Sequence, residues 1–223
     1  MRKIIYLVLS VVFLACNQQV NNEDTKSDSI SKPEFNAINA EKADSESVQD
    51  KFILDKLMDI KSEIELKERY GAENITRRTE SFAEGTITKT LSILYPETEK
   101  ELTFMWKDDS VKFENLNRII LRKSNSPWKT KLGITIGIRM SELEKINTKP
   151  FSFSGFGWDY GGQVVFNDGI IGKANTALIL GASTDDEFQS EAYKKLIGDS
   201  MFESNSEQAV KLNPSVVELS LYK

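Results

Sequence analysis

The 223-residue chain has no histidine and one cysteine. Without histidine, Ser-His-Asp and Cys-His nucleophilic machinery cannot be assembled. The same shortage excludes ordinary zinc sites, which draw on His and Cys. No Gly-rich phosphate loop or dinucleotide fingerprint occurs. Basic charge is also short: 29 Lys and Arg stand against 34 Asp and Glu, a net of −5. Nucleic-acid binding needs a basic footprint, so no such partner is expected. No cofactor or metal is expected either.

What is present begins at the N-terminus. Arg2 and Lys3 precede a nearly unbroken apolar run over residues 4–15, interrupted only by Ser10. An ideal helix of that length spans about 18 Å, against about 30 Å of membrane hydrocarbon. The run is too short to cross and suits the h-region of a signal peptide. It ends in Phe13-Leu14-Ala15-Cys16, which resembles the lipobox of bacterial lipoproteins. That resemblance implies cleavage before Cys16 and three acyl chains on its sulfur and amine. An exported chain with a lone thiol cannot form an internal disulfide, and lipidation of Cys16 accounts for it. Acyl chains contribute about 0.8 kcal/mol per buried CH₂, so several chains anchor stably. Asn17 stands where Asp would mark inner-membrane retention in enterobacterial lipoproteins, which favours the outer membrane. Glu23-Asp24 loosely resembles the acidic export signals of surface lipoproteins in Bacteroidota.

Residues 17–50 carry eight acids and three lysines, with few large apolar residues. Such a stretch buries too little apolar surface to offset its ordering entropy. It is expected to be an acidic tether between the membrane and the domain. The chain therefore divides into a signal peptide (1–15), anchor and tether (16–50), and two α+β repeats at 51–125 and 126–223, the second with an inserted helix.

The folded part reads as a tandem repeat. At a shift of 77, Gly85 falls on Gly162, Ile87 on Val164 and Leu102 on Ile179. A rival shift of 79 aligns the helix starts Ser62-Glu63 and Ser141-Glu142. Ser62-x-x-Glu65 is a capping box opening a helix to about Tyr70, which Gly71 ends. Alternation at Ile87, Lys89, Leu91 and Ile93, a turn at Pro96-Glu97-Thr98-Glu99, and alternation at Leu102, Phe104 and Trp106 predict a hairpin. A strand over 116–122 follows. The second half predicts a helix at 140–147, strands at 163–166 and 176–180, a helix opened by Thr184-x-x-Glu187 carrying Phe188, Ala192 and Leu196, and a strand at 215–222. The expected class is α+β, with helices on one face of antiparallel sheet.

The most unusual local feature is Pro150-Phe-Ser-Phe-Ser-Gly-Phe-Gly-Trp-Asp-Tyr-Gly-Gly162. Phe151 and Phe153 have one parity; Phe156, Trp158 and Tyr160 have the other. A β-bulge near Ser154-Gly155 would bring all five rings to one face. The expected partner surface is Phe153, Phe156, Trp158, Asp159 and Tyr160, with the rings as interface anchors or sugar-stacking platforms. The alternative is that the rings fill the core.

Together, Gly133-Ile-Thr-Ile-Gly137, Glu142-Leu143-Glu144, Asn147-x-x-Pro150-Phe151 and Gly155-Phe-Gly-Trp-Asp-Tyr-Gly-Gly162 resemble a segment of secreted and lipid-anchored bacterial families. In those families Gly commonly follows the Asn; Thr148 stands here, at an implied tight turn. The helix-plus-sheet repeat resembles the β-lactamase-inhibitor-protein-like fold, shared with outer-membrane assembly lipoproteins of the SmpA/OmlA type. These resemblances imply a fold and no activity.

Ser126-Pro-Trp-Lys129 fits the Ser-x-x-Lys pattern of penicillin-binding enzymes, but its companion motifs are absent. Asp108-Asp109 and Asp185-Asp186 could serve glycoside hydrolysis, although acids are also expected at turns and helix starts. The expectation is a non-enzymatic, lipid-anchored envelope binding or assembly module with an envelope protein or glycan partner; an inhibitor of a secreted enzyme is one form of it. The competing reading is a carboxylate hydrolase of envelope polysaccharide.

Overall fold

The computed structural model describes residues 51–82 and 85–223. The expected signal peptide, Cys16 and acidic tether lie outside the described residues.

Helix α1 (Glu63–Tyr70) starts where Ser62 Oγ accepts from the Glu65 N–H at 3.2 Å. The Glu65 carboxylate reaches one residue further back than a capping box requires, accepting from the Lys61 N–H at 2.8 Å. Gly71, with φ 86°, ends the helix. Four antiparallel strands follow: β1 (Ile75–Phe82), β2 (Ile87–Leu94), β3 (Leu102–Asp108) and β4 (Glu114–Leu121). The second half contains α2 (Met140–Asn147), β5 (Ser152–Ser154), β6 (Val164–Val165), β7 (Thr176–Gly181), α3 (Asp185–Gln189), α4 (Glu191–Lys194), β8 (Met201–Glu203), α5 (Glu207–Leu212) and β9 (Ser215–Tyr222).

A six-stranded sheet runs β1-β2-β3-β4-β9-β7, and a smaller one runs β6-β5-β8. A bridge from Gln163 to Ile179 sets the β6 end beside β7. The fold is α+β with antiparallel sheets. Leu66 of α1, Leu143 of α2, Ala192 of α4 and Leu212 of α5 join one core cluster with Phe104, Trp106, Ile119, Leu178 and Leu219 of the sheet. The cluster on the opposite sheet face, Leu91, Ile93 and Met105 with Phe82 against it, contains no helix residue. Helices therefore cover one face. Among the described residues no helix is long and apolar enough to cross a membrane.

Four elements were not expected: β1, β5, β8 and α5. One expected helix is instead two. Ser190 has extended φ/ψ of −67° and 149°, caps α4 by accepting from the Tyr193 N–H at 3.1 Å, and so interrupts the run. The helix starts at Glu63 and Met140, the strand starts at Ile75 and Ser152, and the strand starts at Ile87 and Val164 are all separated by the shift of 77 rather than 79. The implied tight turn after Asn147 is present: Thr148 is left-handed, with φ 62°.

A buried polar knot fastens α1 to the sheet. Glu63 is nearly inaccessible. Its carboxylate accepts from Arg77 at 2.6 and 2.9 Å, from Lys67 at 2.8 Å and from Ser92 Oγ at 2.9 Å. Trp106 Nε1 in turn donates to Ser92 Oγ at 2.8 Å, and the Arg77 guanidinium sits 3.7 Å from the Phe113 ring centre. Burial opposes ionisation of Glu63, but the hydrogen bonds from Arg77, Lys67 and Ser92 outweigh it and lower its pKa from 4.5 to about 2. A depressed carboxylate pKa contributes stability above its unfolded value and loses it as pH falls toward the folded one. Glu63→Gln should therefore cost roughly 2 kcal/mol at pH 7. In urea unfolding followed by circular dichroism, the gap from wild type should close between pH 4.5 and 2. A gap that does not change with pH would contradict this role.

Candidate functional site

The aromatic glycine segment leaves its strand at Ser154. Up to that point β5 is the middle strand of the small sheet, with Phe153 opposite Val164 and Phe202. The Ser154 carbonyl then accepts from the Gly162 N–H at 2.8 Å, closing residues 155–161 into a loop. Gly155 and Phe156 turn toward the 196–200 segment: Gly155 N–H donates to the Ser200 carbonyl and Phe156 N–H to the Leu196 carbonyl, both at 2.8 Å. A Cβ on Gly155 would collide with the carbonyls of Leu196 and Gly198.

This course separates the five rings: no bulge gathers them on one face, and the core reading holds for Phe151, Phe153 and Phe156 while Trp158 and Tyr160 are at the surface. Phe151 and Phe153 are 0 % exposed and Phe156 4 %, while Trp158 is 42 % and Tyr160 52 % exposed. Phe153 belongs to the core and not to a partner surface. Phe156 is nearly as buried and contributes only to a groove floor. Of the expected surface residues, Trp158, Asp159 and Tyr160 reach solvent. Alternation failed here because the loop is held by backbone bonds to a distant segment, which no longer imposes strand parity.

Trp158 is fixed. Its indole Nε1 donates to the Gly155 carbonyl at 2.7 Å, and its ring meets Tyr160 edge-on, 5.4 Å between centres. It borders a groove of about 560 Å³ with Phe156, Asp159, Phe188 and Tyr193. Ile179, Leu180, Gly181, Ala182 and Val217 of the β7–β9 region also line it. An aromatic ladder runs inward from this groove. Phe188 packs edge-on against Tyr193 at 5.2 Å, Tyr193 stacks on Phe156 at 5.1 Å, and Phe156 meets Phe153 at 5.6 Å. The break at Ser190 leaves Phe188 46 % exposed while Ala192 and Leu196 are buried. Tyr193 was not anticipated as a site residue; nothing in its local sequence marks it.

The groove is lined by one carboxylate, Asp159. The acid pairs considered for hydrolysis lie elsewhere. Asp109 is held by Lys89 and the Thr90 N–H, both at 3.1 Å. Asp108 accepts from the Ser110 and Val111 N–H groups of a turn. Asp185 and Asp186 form the first turn of α3, capped by Thr184. Where a carboxyl pKa is displaced, as at Asp59, Glu63, Asp109 and Glu187, it is displaced downward, the opposite of what a general acid requires. Ser126 Oγ accepts from the Trp128 N–H, and the Lys129 backbone is bonded to Phe52 and Leu54, so that motif is a structural turn. Among the described residues no group of three or more His, Cys, Asp or Glu could hold a metal. A second groove, about 540 Å³, lies between α2 and α5. There Ser204 is fully buried, donates to Glu144 at 2.6 Å and accepts from the Phe151 N–H at 3.0 Å.

Gly162 positions the loop. It has φ 76°, its N–H meets Ser154, and its carbonyl accepts from the Leu180 N–H at 2.8 Å. A Cβ there would strike the Leu180 carbonyl, whereas Gly133, with φ 82°, has open space around it. Gly133→Ala should cost about 1 kcal/mol from backbone conformation alone. Gly162→Ala should cost roughly 3 kcal/mol, because the backbone must also shift. Equal costs in denaturant unfolding would show that the close approach is unimportant.

No protein-family model matches the chain, and no curated protein or solved structure matches it.

Proposed function

We propose that this chain is a lipid-anchored binding or assembly module of the cell envelope, without catalytic activity, that meets its partner through the aromatic groove. The observation that carries the reading is Trp158: exposed, with its polar N–H already satisfied, on a loop bonded to the core. Rigid aromatic anchors of this kind lower the ordering cost of binding. A hydrolase would need two acids facing each other across a groove, and Asp159 stands alone there.

The address follows from the N-terminal motif. Acyl chains on Cys16 would hold the protein in the outer membrane, and residues 17–50 would set its reach from the surface. The tandem-repeat component of the proposal draws support from the shared 77-residue offset of three successive element starts. An envelope protein or an envelope glycan fits this arrangement, and inhibition of a secreted enzyme is one outcome such binding could have.

Two measurements bear on the two halves of the proposal. Cys16→Ser should move the protein from the membrane fraction to the soluble fraction; a mutant that still sediments with membranes would sink the lipoprotein assignment. Immobilised residues 51–223 should recover an envelope component at micromolar concentration, and Trp158→Ala should reduce that recovery about tenfold or more. Equal recovery by the variant would remove the groove from the proposal.

A further inference from the structure

The geometry points to a neutral carbohydrate as the ligand of the aromatic groove, an inference that rests on the groove being the binding surface. Four observations converge. The indole N–H of Trp158 is engaged by the Gly155 carbonyl, so what the side chain offers a ligand is its ring surface. The apolar C–H face of a pyranose is matched to such a surface, and ring and sugar can both remain rigid on contact.

Asp159, next to that ring, has no hydrogen-bond or ion-pair partner among the described residues. An ionised carboxylate is an acceptor with two oxygens. It suits a pair of neighbouring hydroxyls, each donating to one oxygen. It also disfavours an anionic ligand, and no Lys or Arg lines the groove to offset that.

A cationic peptide is matched less well. It would meet only this one carboxylate in the lining. The remaining lining is apolar or glycine, from Gly157, Gly161, Gly181, Ala182 and Val217. The volume, about 560 Å³, falls in the range of small-ligand sites.

The test uses the full chain in a polyoxyethylene detergent, which carries no sugar headgroup. The probes are the neutral trisaccharides cellotriose, chitotriose and maltotriose, the anionic trigalacturonate, and an acetylated Lys-Phe-Lys peptide. Tryptophan emission reports selectively, because Trp106 and Trp128 are 1 % and 2 % exposed against 42 % for Trp158. At least one neutral trisaccharide should shift the emission saturably, and trigalacturonate should not. Calorimetry should show that binding is lost in Trp158→Ala and weakened about tenfold in Asp159→Asn. Binding confined to the peptide, and lost in Trp158→Ala, would overturn the carbohydrate assignment and leave the groove as a binding surface. Neutral-sugar binding that survives Trp158→Ala would place the sugar elsewhere and overturn the inference. If no probe binds and Trp158→Ala recovers envelope partners as wild type does, the inference and the groove reading both fall.

Discussion

Pairing between β4 and β9 is the constraint on which the molecule depends. It sets Ile119 opposite Leu221 and Leu121 opposite Leu219, and all four side chains are buried on the helix-covered face. The two strands lie about a hundred residues apart in sequence, so closing that loop is entropically costly, though the cost grows slowly with length. Once made, the pairing merges two sets of strands into one sheet over one core. β7 then adds to the outer side of β9. The side of the aromatic groove lined by Leu180, Gly181 and Val217 exists only with that addition.

The groove is a product of the stretch between β7 and β9. That stretch supplies Phe188 from α3 and Tyr193 from α4, and its 196–200 segment binds the backbone of Gly155 and Phe156. The exposed rings are thus the outer end of a stack whose inner end is Phe153 in the core. A surface built this way changes little on binding, because its rotamers are already held by packing. Exposed ion pairs such as Arg122–Glu218 and Arg78–Glu80 contribute little by comparison. The Glu63 knot differs because its carboxylate is removed from water and surrounded by donors.

Much of the regular structure was legible in the sequence. Both long helices announce themselves, α1 through Ser62 and Gly71, α2 through its apolar spacing at Met140 and Leu143. β9 shows strict alternation at Val217, Leu219 and Leu221, although Val217 turns to the groove because a register irregularity lies between its neighbours on β7. β1 escaped because Thr76-Arg77-Arg78-Thr79-Glu80 carries no apolar residue on either face. It is an edge strand, paired only with β2, and charged edges resist unwanted pairing. β5 and β8 are three residues long, too short for any period to register.

By itself, the sequence determined the exclusion of His-dependent chemistries, an apolar run ending in Leu14-Ala15-Cys16, the α+β class, the capped helices and the presence of an aromatic, glycine-rich segment. Those are properties of composition and of local spacing. Only the tertiary structure decided which rings of that segment are core and which are surface. Trp158 and Phe156 have the same parity and the same chemical character, yet one is exposed and the other buried. The difference comes from the carbonyls of Leu196 and Ser200, some forty residues further along the chain, and no local pattern encodes where they will be.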